Sequence, residues 1–313
     1  GACLLRTIRL ATRKSPLALW QANDVADQIR ASFPEIQVEI VGLSTEGDRN
    51  RIAALSEIGG KGVFVKELEI ALQTGDADFA VHSTKDVPAE LPDGLALVAL
   101  CKRADPRDAF VANVYSGLAE LPSGARIGSS SLRRCLQLAK VYPQLVFENL
   151  RGNVETRLKR LDDGHFQGII LASAGLARLG LGHRITENIP TDICLPSAGQ
   201  GAVGLEARAD RDDLVDIIRA LNHEPTFVTV NCERQISRRL GATCNLPVAA
   251  FAQLSGDNSE AMVQLDTFVS DLRGEQVLTI GGHDLVQNAG AMADRVADEL
   301  IDRGALALVS EAP

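Results

Sequence analysis

Residues 78–88 read Asp-Phe-Ala-Val-His-Ser-Thr-Lys-Asp-Val-Pro. Phe79 to Val81 is an apolar run typical of a buried strand, and Pro88 prevents the strand from continuing. Ligands of open α/β sheets bind just beyond the carboxyl ends of the strands. Lys85 and Asp86 are therefore candidates for chemistry. The alternative is an exposed ion pair at a strand end, and such pairs usually contribute little.

Strand and helix patterns alternate on both sides of this stretch, as in α/β proteins. Ser15-Pro16 is a favourable N-cap and first helical position, and Pro34 lies just beyond the end of the helix that it starts. The sequence predicts strands over residues 7–12, 38–43, 79–81, 95–100, 126–128, 145–149, 168–172, 202–206, 248–254, 261–269 and 276–280. It predicts helices over 15–33, 63–73, 132–142, 154–163, 214–221, 227–240 and 285–303, a short helix near Leu176, and a parallel α/β pattern in the lobe that begins at residue 126.

Two linker-like passages, residues 102–107 and 189–201, separate two α/β lobes and suggest a clamshell with its cleft at the junction. We predict an α/β protein of three domains. Domain 1 is the α/β lobe of residues 1–101 and 202–219 with the catalytic cleft, domain 2 is the basic, anion-binding α/β lobe of residues 107–195, and domain 3 is the small α+β domain of residues 224–313.

The composition is that of a soluble globular protein, with 45% hydrophobic and 23% charged residues in a chain of 313. No apolar run approaches the length of about 20 residues that spans a membrane. The first residues, Gly1 to Arg6, contain too short an apolar segment for a signal peptide. We therefore expect a cytoplasmic protein with no membrane partner.

The charge is unevenly distributed along the chain. The net charge of −9 argues against binding of nucleic acid. Residues 126–184 nevertheless hold ten Lys and Arg against four Asp and Glu, whereas residues 255–313 hold three against eleven. A basic middle in an acidic protein suggests a site for a polyanionic small molecule, with chance clustering on a solvated surface as the alternative.

The six cysteines are scattered and contain no CxxC pair, which indicates free thiols and no zinc site. Helical spacing puts Cys135 and Cys232 on apolar faces, so we expect both in the core. Cys244 differs, because it lies in a loop-like sequence, Gly241 to Pro247. The five histidines show no metal-binding spacing, and we predict no metal site.

The segment Gly128-Ser129-Ser130-Ser131-Leu132-Arg133-Arg134 is the strongest local signal. A strand ends at Gly128, Ser131 can cap the following helix, and two arginines stand in its first turn. Cations are unfavourable at a helix N-terminus because they meet the positive end of the dipole. Their presence beside free backbone N–H groups therefore indicates a bound anion, although capping by Ser131 alone needs no ligand.

Other arginines occupy similar positions. Arg151 ends a predicted strand and is followed by Asn153, a plausible N-cap. Arg13 precedes Ser15-Pro16, Arg178 precedes Leu179-Gly180, and Arg157 and Arg160 share one face of a helix. Each of these arginines alone fits an exposed surface position, but several at strand ends and helix starts favour anion binding.

The segment Gly199-Gln200-Gly201-Ala202-Val203-Gly204 formally matches the dinucleotide fingerprint GxGxxG. That fingerprint needs a preceding strand and a following helix. Here Pro196-Ser197 precedes it and a strand pattern follows, so dinucleotide binding is disfavoured.

Taken together, the motifs resemble the porphobilinogen deaminase family, also called hydroxymethylbilane synthase. They occur in the family's order and cover most of the chain, most densely to about residue 206. They are Ala11-Thr12-Arg13-Lys14-Ser15-Pro16-Leu17-Ala18-Leu19-Trp20-Gln21, Gly59-Gly60-Lys61-Gly62, His82-Ser83-Thr84-Lys85-Asp86-Val87-Pro88, Gly128-Ser129-Ser130-Ser131-Leu132-Arg133-Arg134, Leu150-Arg151-Gly152-Asn153 and Pro196-Ser197-Ala198-Gly199-Gln200-Gly201.

The resemblance implies three domains, of which the first two are like a periplasmic binding protein. It implies a transferase of tetrapyrrole and haem biosynthesis, expected to be a monomer. Such an enzyme deaminates porphobilinogen repeatedly and releases the linear tetrapyrrole hydroxymethylbilane. The growing chain is built on a dipyrromethane cofactor held by a thioether, and the matching cysteine is Cys244.

The resemblance also implies roles for individual residues. Asp86 matches the catalytic carboxylate, which stabilises positive charge on pyrrole nitrogens and could assist proton transfer. Each pyrrole carries acetate and propionate groups, so cations suit the growing chain, while His82 is expected to be structural. The matching cofactor-binding positions are Cys244, Ser83, Lys85, Asp86, Ser129, Ser130, Ser131, Arg133, Arg134, Arg157 and Gln200; the substrate-binding positions are Arg13, Ser15, Gln21, Arg151 and Arg178; Asp48 and Lys61 belong to a loop at the active site.

Two departures from the family pattern concern loops. The sequence before the cysteine is Leu240-Gly241-Ala242-Thr243, where the family often has Glu-Gly-Gly, and Glu46 stands where a basic or polar residue is common. The main rival interpretation is a clamshell that binds anions without catalysis. Asp86 among so many cations is unexpected in such a protein.

Overall fold

The structure is a computed structural model of the 313-residue chain, and it describes residues 6–45 and 63–310. The chain separates into two compact units, residues 1–103 with 202–227 and residues 104–201 with 228–313. Among the described residues, no helix is long and apolar enough to cross a membrane.

The strands are named in chain order. They are β1 (Thr7–Arg13), β2 (Gln37–Leu43), β3 (Phe79–Ser83), β4 (Leu95–Leu100), β5 (Asp108–Val111), β6 (Arg126–Gly128), β7 (Val146–Glu148), β8 (Gly168–Ala172), β9 (Glu187–Asn188), β10 (Val203–Arg208), β11 (Val248–Ser255), β12 (Met262–Ser270), β13 (Val277–Leu278) and β14 (Gly281–Leu285).

The α-helices follow the same convention. They are α1 (Pro16–Ser32), α2 (Lys66–Thr74), α3 (Leu132–Val141), α4 (Val154–Asp162), α5 (Ser173–Arg178), α6 (Val215–Leu221), α7 (Glu224–Leu240), α8 (Ala289–Asp302) and α9 (Ala305–Ser310).

The first unit is built on a sheet with the strand order β2-β1-β3-β10-β4. β1 runs parallel to β2 and β3, whereas β10 is antiparallel to both β3 and β4. β10 comes from the segment that we assigned to the return into domain 1. α1 covers one face with Ala22, Val25 and Ile29, and α2 covers the other with Leu68 and Leu72.

Local chemistry explains where α1 begins and ends. The Ser15 hydroxyl accepts a hydrogen bond from the backbone N–H of Ala18, and Pro16 occupies the first turn, where its missing N–H costs nothing. The helix ends before Phe33, one residue ahead of Pro34. This helix therefore lies within one residue of its predicted bounds.

The second unit contains two sheets. One has the order β7-β6-β8-β5-β9, in which β6 is parallel to β7 and β8, and β5 is antiparallel to β8 and β9. The parallel pattern predicted from residue 126 onward is confirmed for β6, β7 and β8. The predicted linker is followed directly by β5, an antiparallel strand that was not predicted. An antiparallel strand needs no helical crossover, so the alternation of strand and helix patterns in the sequence did not indicate β5.

The other sheet of the second unit pairs β12 with β11, β13 and β14, all antiparallel. α7, α8 and α9 contribute apolar side chains to the core against this sheet, including Ile236, Val296 and Leu308. β14 was missed, and the apolar tail forms α9. The predicted α/β class with a smaller α+β part is confirmed, while the boundary drawn between domains 2 and 3 stays a prediction.

Candidate active site

The polar end of β3 turns sharply at the position that the sequence predicted. Thr84–Asp86 form a 3-10 turn, in which the N–H of Val87 donates to the carbonyl of Thr84 at 3.1 Å. The N–H of Thr84 donates to the carbonyl of Ala202 at 3.0 Å, so the turn is fastened to the start of β10. Thr84 is buried, Lys85 is half-buried and Asp86 is exposed. The carboxylate of Asp86 is therefore accessible on an anchored turn.

Gln21 and Ser83 lie together beside this turn. Gln21 is 2% exposed on α1. Its Nε2 donates to the Ser83 hydroxyl at 3.1 Å, and the hydroxyl is also 3.2 Å from its Oε1. Two of the sequence-predicted residues are thus brought into direct contact.

Arg13 and Ser15 lie at the corresponding end of β1. Because β1 and β3 are parallel neighbours, their carboxyl ends share one edge of the sheet. The Arg13 guanidinium carbon lies 4.6 Å from the centroid of the Phe64 ring, an arrangement suited to cation–π attraction. Ser15 serves as the N-cap of α1. The side chains predicted in the first unit therefore cluster along one sheet edge.

In the second unit, Arg133 and Arg134 converge on Asp108, a carboxylate that no sequence motif had indicated. Asp108 Oδ2 accepts from Arg133 Nη1 at 2.7 Å, and its Oδ1 accepts from Arg134 Nε at 2.8 Å and from Gln200 Nε2 at 3.0 Å. Asp108 is fully buried and the two arginines are 5% and 6% exposed. We call Asp108, Arg133, Arg134 and Gln200 the Asp108 cluster.

The Asp108 cluster explains why two arginines tolerate the start of α3. Burial alone would raise the pKa of Asp108, but the charges of Arg133 and Arg134 hold it well below its usual range. The position of the arginines at a helix N-terminus is therefore explained by a carboxylate of the chain itself, and it does not by itself require a ligand. Two guanidinium groups against one carboxylate still leave one net positive charge, which suits one further carboxylate.

The serine turn before α3 has the predicted local structure. The Ser131 hydroxyl accepts from the Arg134 N–H at 3.2 Å and caps the helix, and the Ser129 hydroxyl accepts from the Ser131 N–H at 3.3 Å. Ser129 is buried and Ser130 is half-buried. The buried Cys194 thiol, 3.3 Å from Asp108 Oδ2, has its pKa raised by burial. It is therefore an unreactive core thiol.

Three further arginines differ in their surroundings. The Nε and Nη1 atoms of Arg151 are buried and have no hydrogen-bond acceptor among the described residues. Arg157 Nε donates to the Gly152 carbonyl at 2.8 Å, and Arg178 Nη2 donates to the Gly201 carbonyl at 2.9 Å. A buried guanidinium nitrogen without an acceptor is costly, so Arg151 is the member of this group whose surroundings call for an anionic ligand.

Cys244 lies in the loop that follows α7. Of the cysteines that the structure describes, Cys244 is exposed, Cys135 is half-buried, and Cys101, Cys194 and Cys232 are buried. Gly241, at φ 63°, ends α7 in a left-handed conformation, and the N–H of Ala242 donates to the Ser237 carbonyl at 2.8 Å. The loop with the unusual sequence thus presents an accessible thiol. Asp48 and Lys61 lie outside the described residues.

Two family models match consecutive parts of the chain. Residues 8–216 match "Porphobilinogen deaminase, dipyromethane cofactor binding domain", and residues 227–302 match "Porphobilinogen deaminase, C-terminal domain". The chain belongs to the porphobilinogen deaminase family. The resemblance stated from the motifs is confirmed, and the activity is that of this family: a transferase of tetrapyrrole biosynthesis that acts on porphobilinogen and uses a dipyrromethane cofactor.

Individual relatives agree with the family models. A porphobilinogen deaminase of Chromobacterium violaceum is 50% identical over 303 residues, which cover 97% of each chain. One of Laribacter hongkongensis is 46% identical over 301 residues, which cover 96% of each chain. Among solved structures, a periplasmic substrate-binding protein of Coxiella burnetii has a TM-score of 0.43 at 15% identity and covers 72% of this chain and 96% of its own.

The residues present in the second unit fit the cofactor of this family. Cys244 offers an accessible thiol for a covalent bond. Arg151 has buried nitrogen atoms that need acceptors, and the Asp108 cluster holds a net positive charge. An anionic group joined to a cysteine meets both requirements.

Proposed function

We propose that Asp86 is the catalytic carboxylate of this porphobilinogen deaminase. The observation that carries the proposal is the exposed carboxylate on the Thr84–Asp86 turn, which a buried threonine anchors to β10. Loss of ammonia from porphobilinogen leaves positive charge on the pyrrole. A carboxylate held in a fixed position stabilises such charge without having to reorganise during the reaction.

The arginines serve the carboxylates of the substrate and of the growing chain. Two described features support this role. Arg151 has buried nitrogen atoms without acceptors, and the Asp108 cluster has a net positive charge. Arg13 and Lys85 occupy the sheet edge that bears Asp86, and we assign them to substrate and cofactor carboxylates respectively. We keep the binding roles predicted from the family motifs for the remaining residues: Ser15, Gln21, Ser83, Ser129 to Ser131, Arg157, Arg178 and Gln200.

Cys244 is the proposed attachment point of the cofactor. When bound, the dipyrromethane supplies the nucleophilic pyrrole to which the first porphobilinogen is joined. The exposed position of the thiol supports this assignment, since the other described cysteines are buried or half-buried. The remaining predictions are a cytoplasmic monomer with neither nucleic-acid nor membrane partners. The net charge of −9 supports the absence of a nucleic-acid partner.

Asp86→Asn tests the catalytic role. The substitution preserves the shape of the side chain and removes its charge, so we expect an unchanged fold, normal cofactor loading by mass, and a kcat reduced by about 100-fold or more. Steady-state kinetics with porphobilinogen measure this reduction. Asp93→Asn, at an exposed position in the same unit, is the matched control and should keep the wild-type kcat. A kcat near the wild-type value in Asp86→Asn would refute the proposal.

A further inference from the structure

Three ionisable side chains from three elements meet inside the first unit. His82 of β3, Glu206 of β10 and Glu69 of α2 are 5%, 0% and 7% exposed. His82 Nε2 lies 2.8 Å from Glu206 Oε1. In the antiparallel register Gly204 is opposite His82, so Glu206 is its diagonal neighbour on the same face of the sheet. We call these three residues the Glu69 cluster.

The surroundings of the Glu69 cluster favour a protonated Glu69. Glu69 of α2 and Glu206, on the sheet face that α2 covers, are both buried carboxyl groups, and one of them can donate a hydrogen bond to the other only if it is protonated. Glu69 Oε2 is buried and has no partner in the part of the chain that the structure describes. Burial and the neighbouring Glu206 raise the pKa of Glu69 to about 8, against a smaller lowering by His82.

Three cations that the structure describes on this side of the sheet have contacts outside the cluster. Strand alternation places Arg9 and Arg13 of β1 and Arg208 of β10 on the face that α2 covers. Arg9 Nε lies 3.6 Å from Glu39 Oε2, Arg208 pairs with Asp210 at 2.7 Å, and Arg13 stacks on Phe64. α2, β1, β3 and β4 also contribute buried apolar residues to the core on this side of the sheet: Ala11, Leu68, Leu72, Ala80 and Leu95.

The cluster bears on Asp86 through β3 and β10. β3 leads without interruption from His82 into the Thr84–Asp86 turn, and the turn is seated on β10 by the bond from Thr84 to Ala202. The contact between the turn and β10 is close, because a Cβ added at Gly204 would lie 2.7 Å from the Thr84 hydroxyl oxygen. A second buried negative charge beside Glu206 would therefore strain the strand pair that fixes the turn.

We propose that Glu69 is a positioning residue for Asp86: in its protonated form it holds Glu206 and His82 together and so fixes the β3–β10 pair from which the catalytic turn extends. The proposal rests on the catalytic role proposed above for Asp86. Ionisation of Glu69 loosens the turn, and catalysis falls while substrate binding through the arginines is kept.

Glu69→Gln tests the proposal, because glutamine keeps the shape and a hydrogen-bond donor but cannot ionise. We would measure kcat and KM of the cofactor-loaded enzyme over about two pH units on each side of about 8. The ratio of wild-type kcat to Glu69→Gln kcat should fall about tenfold one pH unit above the pKa of Glu69, with KM little changed. Using this ratio removes any titration of the substrate itself. Glu35→Gln, at an exposed position, should keep the wild-type pH profile.

A constant kcat ratio across this pH range would overturn the proposal. If Glu69→Gln does not fold, infrared spectroscopy of the wild-type protein decides instead: a protonated carboxyl C=O band should disappear as the pH rises through about 8, and its absence at neutral pH would equally overturn it. Should Asp86→Asn retain its kcat, the catalytic role fails. The infrared band and the pH-dependent ratio would in that case still report on the Glu69 cluster by itself.

Discussion

Asp108 is the carboxylate that both arginines at the start of α3 contact. It accepts hydrogen bonds from Arg133, Arg134 and Gln200 within a fully buried site. Removing one partner of a buried ion pair leaves the other charge uncompensated, which costs more than the pair itself contributes. The two guanidinium groups therefore depend on this carboxylate both for stability and for position.

We expect Asp108→Asn to lower the free energy of unfolding by about 3–5 kcal/mol, because two buried guanidinium groups lose their counter-charge. Chemical denaturation measures this loss. Asp105→Asn is a matched control, since Asp105 pairs with Arg107 at 2.7 Å but both side chains are more than one-third exposed. Its cost should stay below about 1 kcal/mol. Equal costs for the two variants would contradict the structural role of Asp108.

The Glu69 cluster predicts an unusual dependence of stability on pH. The pKa of Glu69 rises from 4.5 to about 8 on folding, so the folded state retains a proton that the unfolded state has lost. Stability from this group is complete below pH 4.5 and is lost as the pH rises through about 8. The loss should reach up to about 1.4 kcal/mol per pH unit.

Denaturation of the wild type and of Glu69→Gln at several pH values tests this dependence. As the pH rises, the wild type should lose unfolding free energy relative to Glu69→Gln, because glutamine has no proton to lose. A difference that does not vary between these pH values would show that Glu69 is ionised in the folded protein.

For individual residues, the sequence predicted their places on strands and helices better than their hydrogen-bond partners. Asp86 at a strand end and Ser131 at a helix start follow from neighbouring residues, and the structure has both in those places. Asp108 was overlooked because its partners are at least 25 residues away in sequence. The apolar run Ala109-Phe110-Val111 after it was the available signal for a strand.

Among the helices and strands, those with clear start or stop residues were predicted closely. α1 has Ser15-Pro16 before it and Pro34 after it, and β4 was predicted at its observed bounds. β5, β9 and β14 were missed. β9 has two residues, β5 pairs with strands that lie far along the chain, and β14 begins with two glycines, which are depleted in strands. Their places are set by pairing partners, which a local pattern does not encode.

The loop before β10 provides a test at the scale of one element. Gly201 has φ +86°, and a Cβ there would meet the Ala104 carbonyl oxygen at 2.9 Å. Its own carbonyl accepts from the Ala104 N–H and from Arg178. We expect Gly201→Ala to destabilise the protein by about 2–4 kcal/mol, the sum of left-handed strain and steric overlap.

Gly164→Ala is the control for that substitution. Gly164 has a similar φ of +85° with nothing within 4 Å of the added Cβ, so only the backbone strain applies. Its cost should be about 1–2 kcal/mol in the same denaturation measurement. A Gly201→Ala cost no larger than that of Gly164→Ala would show that the loop yields to the extra atom.

For the whole molecule, the sequence predicted the class and the family more firmly than the domain boundaries. The α/β class follows from the alternation of elements, and the family from ordered motifs that local chemistry alone could not interpret. The chain groups into two compact units, and the second contains two separate sheets. Division of the second unit into domains 2 and 3 remains a prediction. Helices and strands leave patterns in neighbouring residues, whereas domain boundaries depend on contacts between segments that are distant in sequence.

The central claim at this scale is that the chain carries a dipyrromethane on Cys244. Intact-mass spectrometry of the purified protein tests it most directly. We predict a mass above that of the 313-residue sequence by one covalent dipyrromethane, loss of this increment in Cys244→Ser, and its retention in Cys135→Ser. An active protein of unmodified mass, or an increment that survives in Cys244→Ser, would contradict the account.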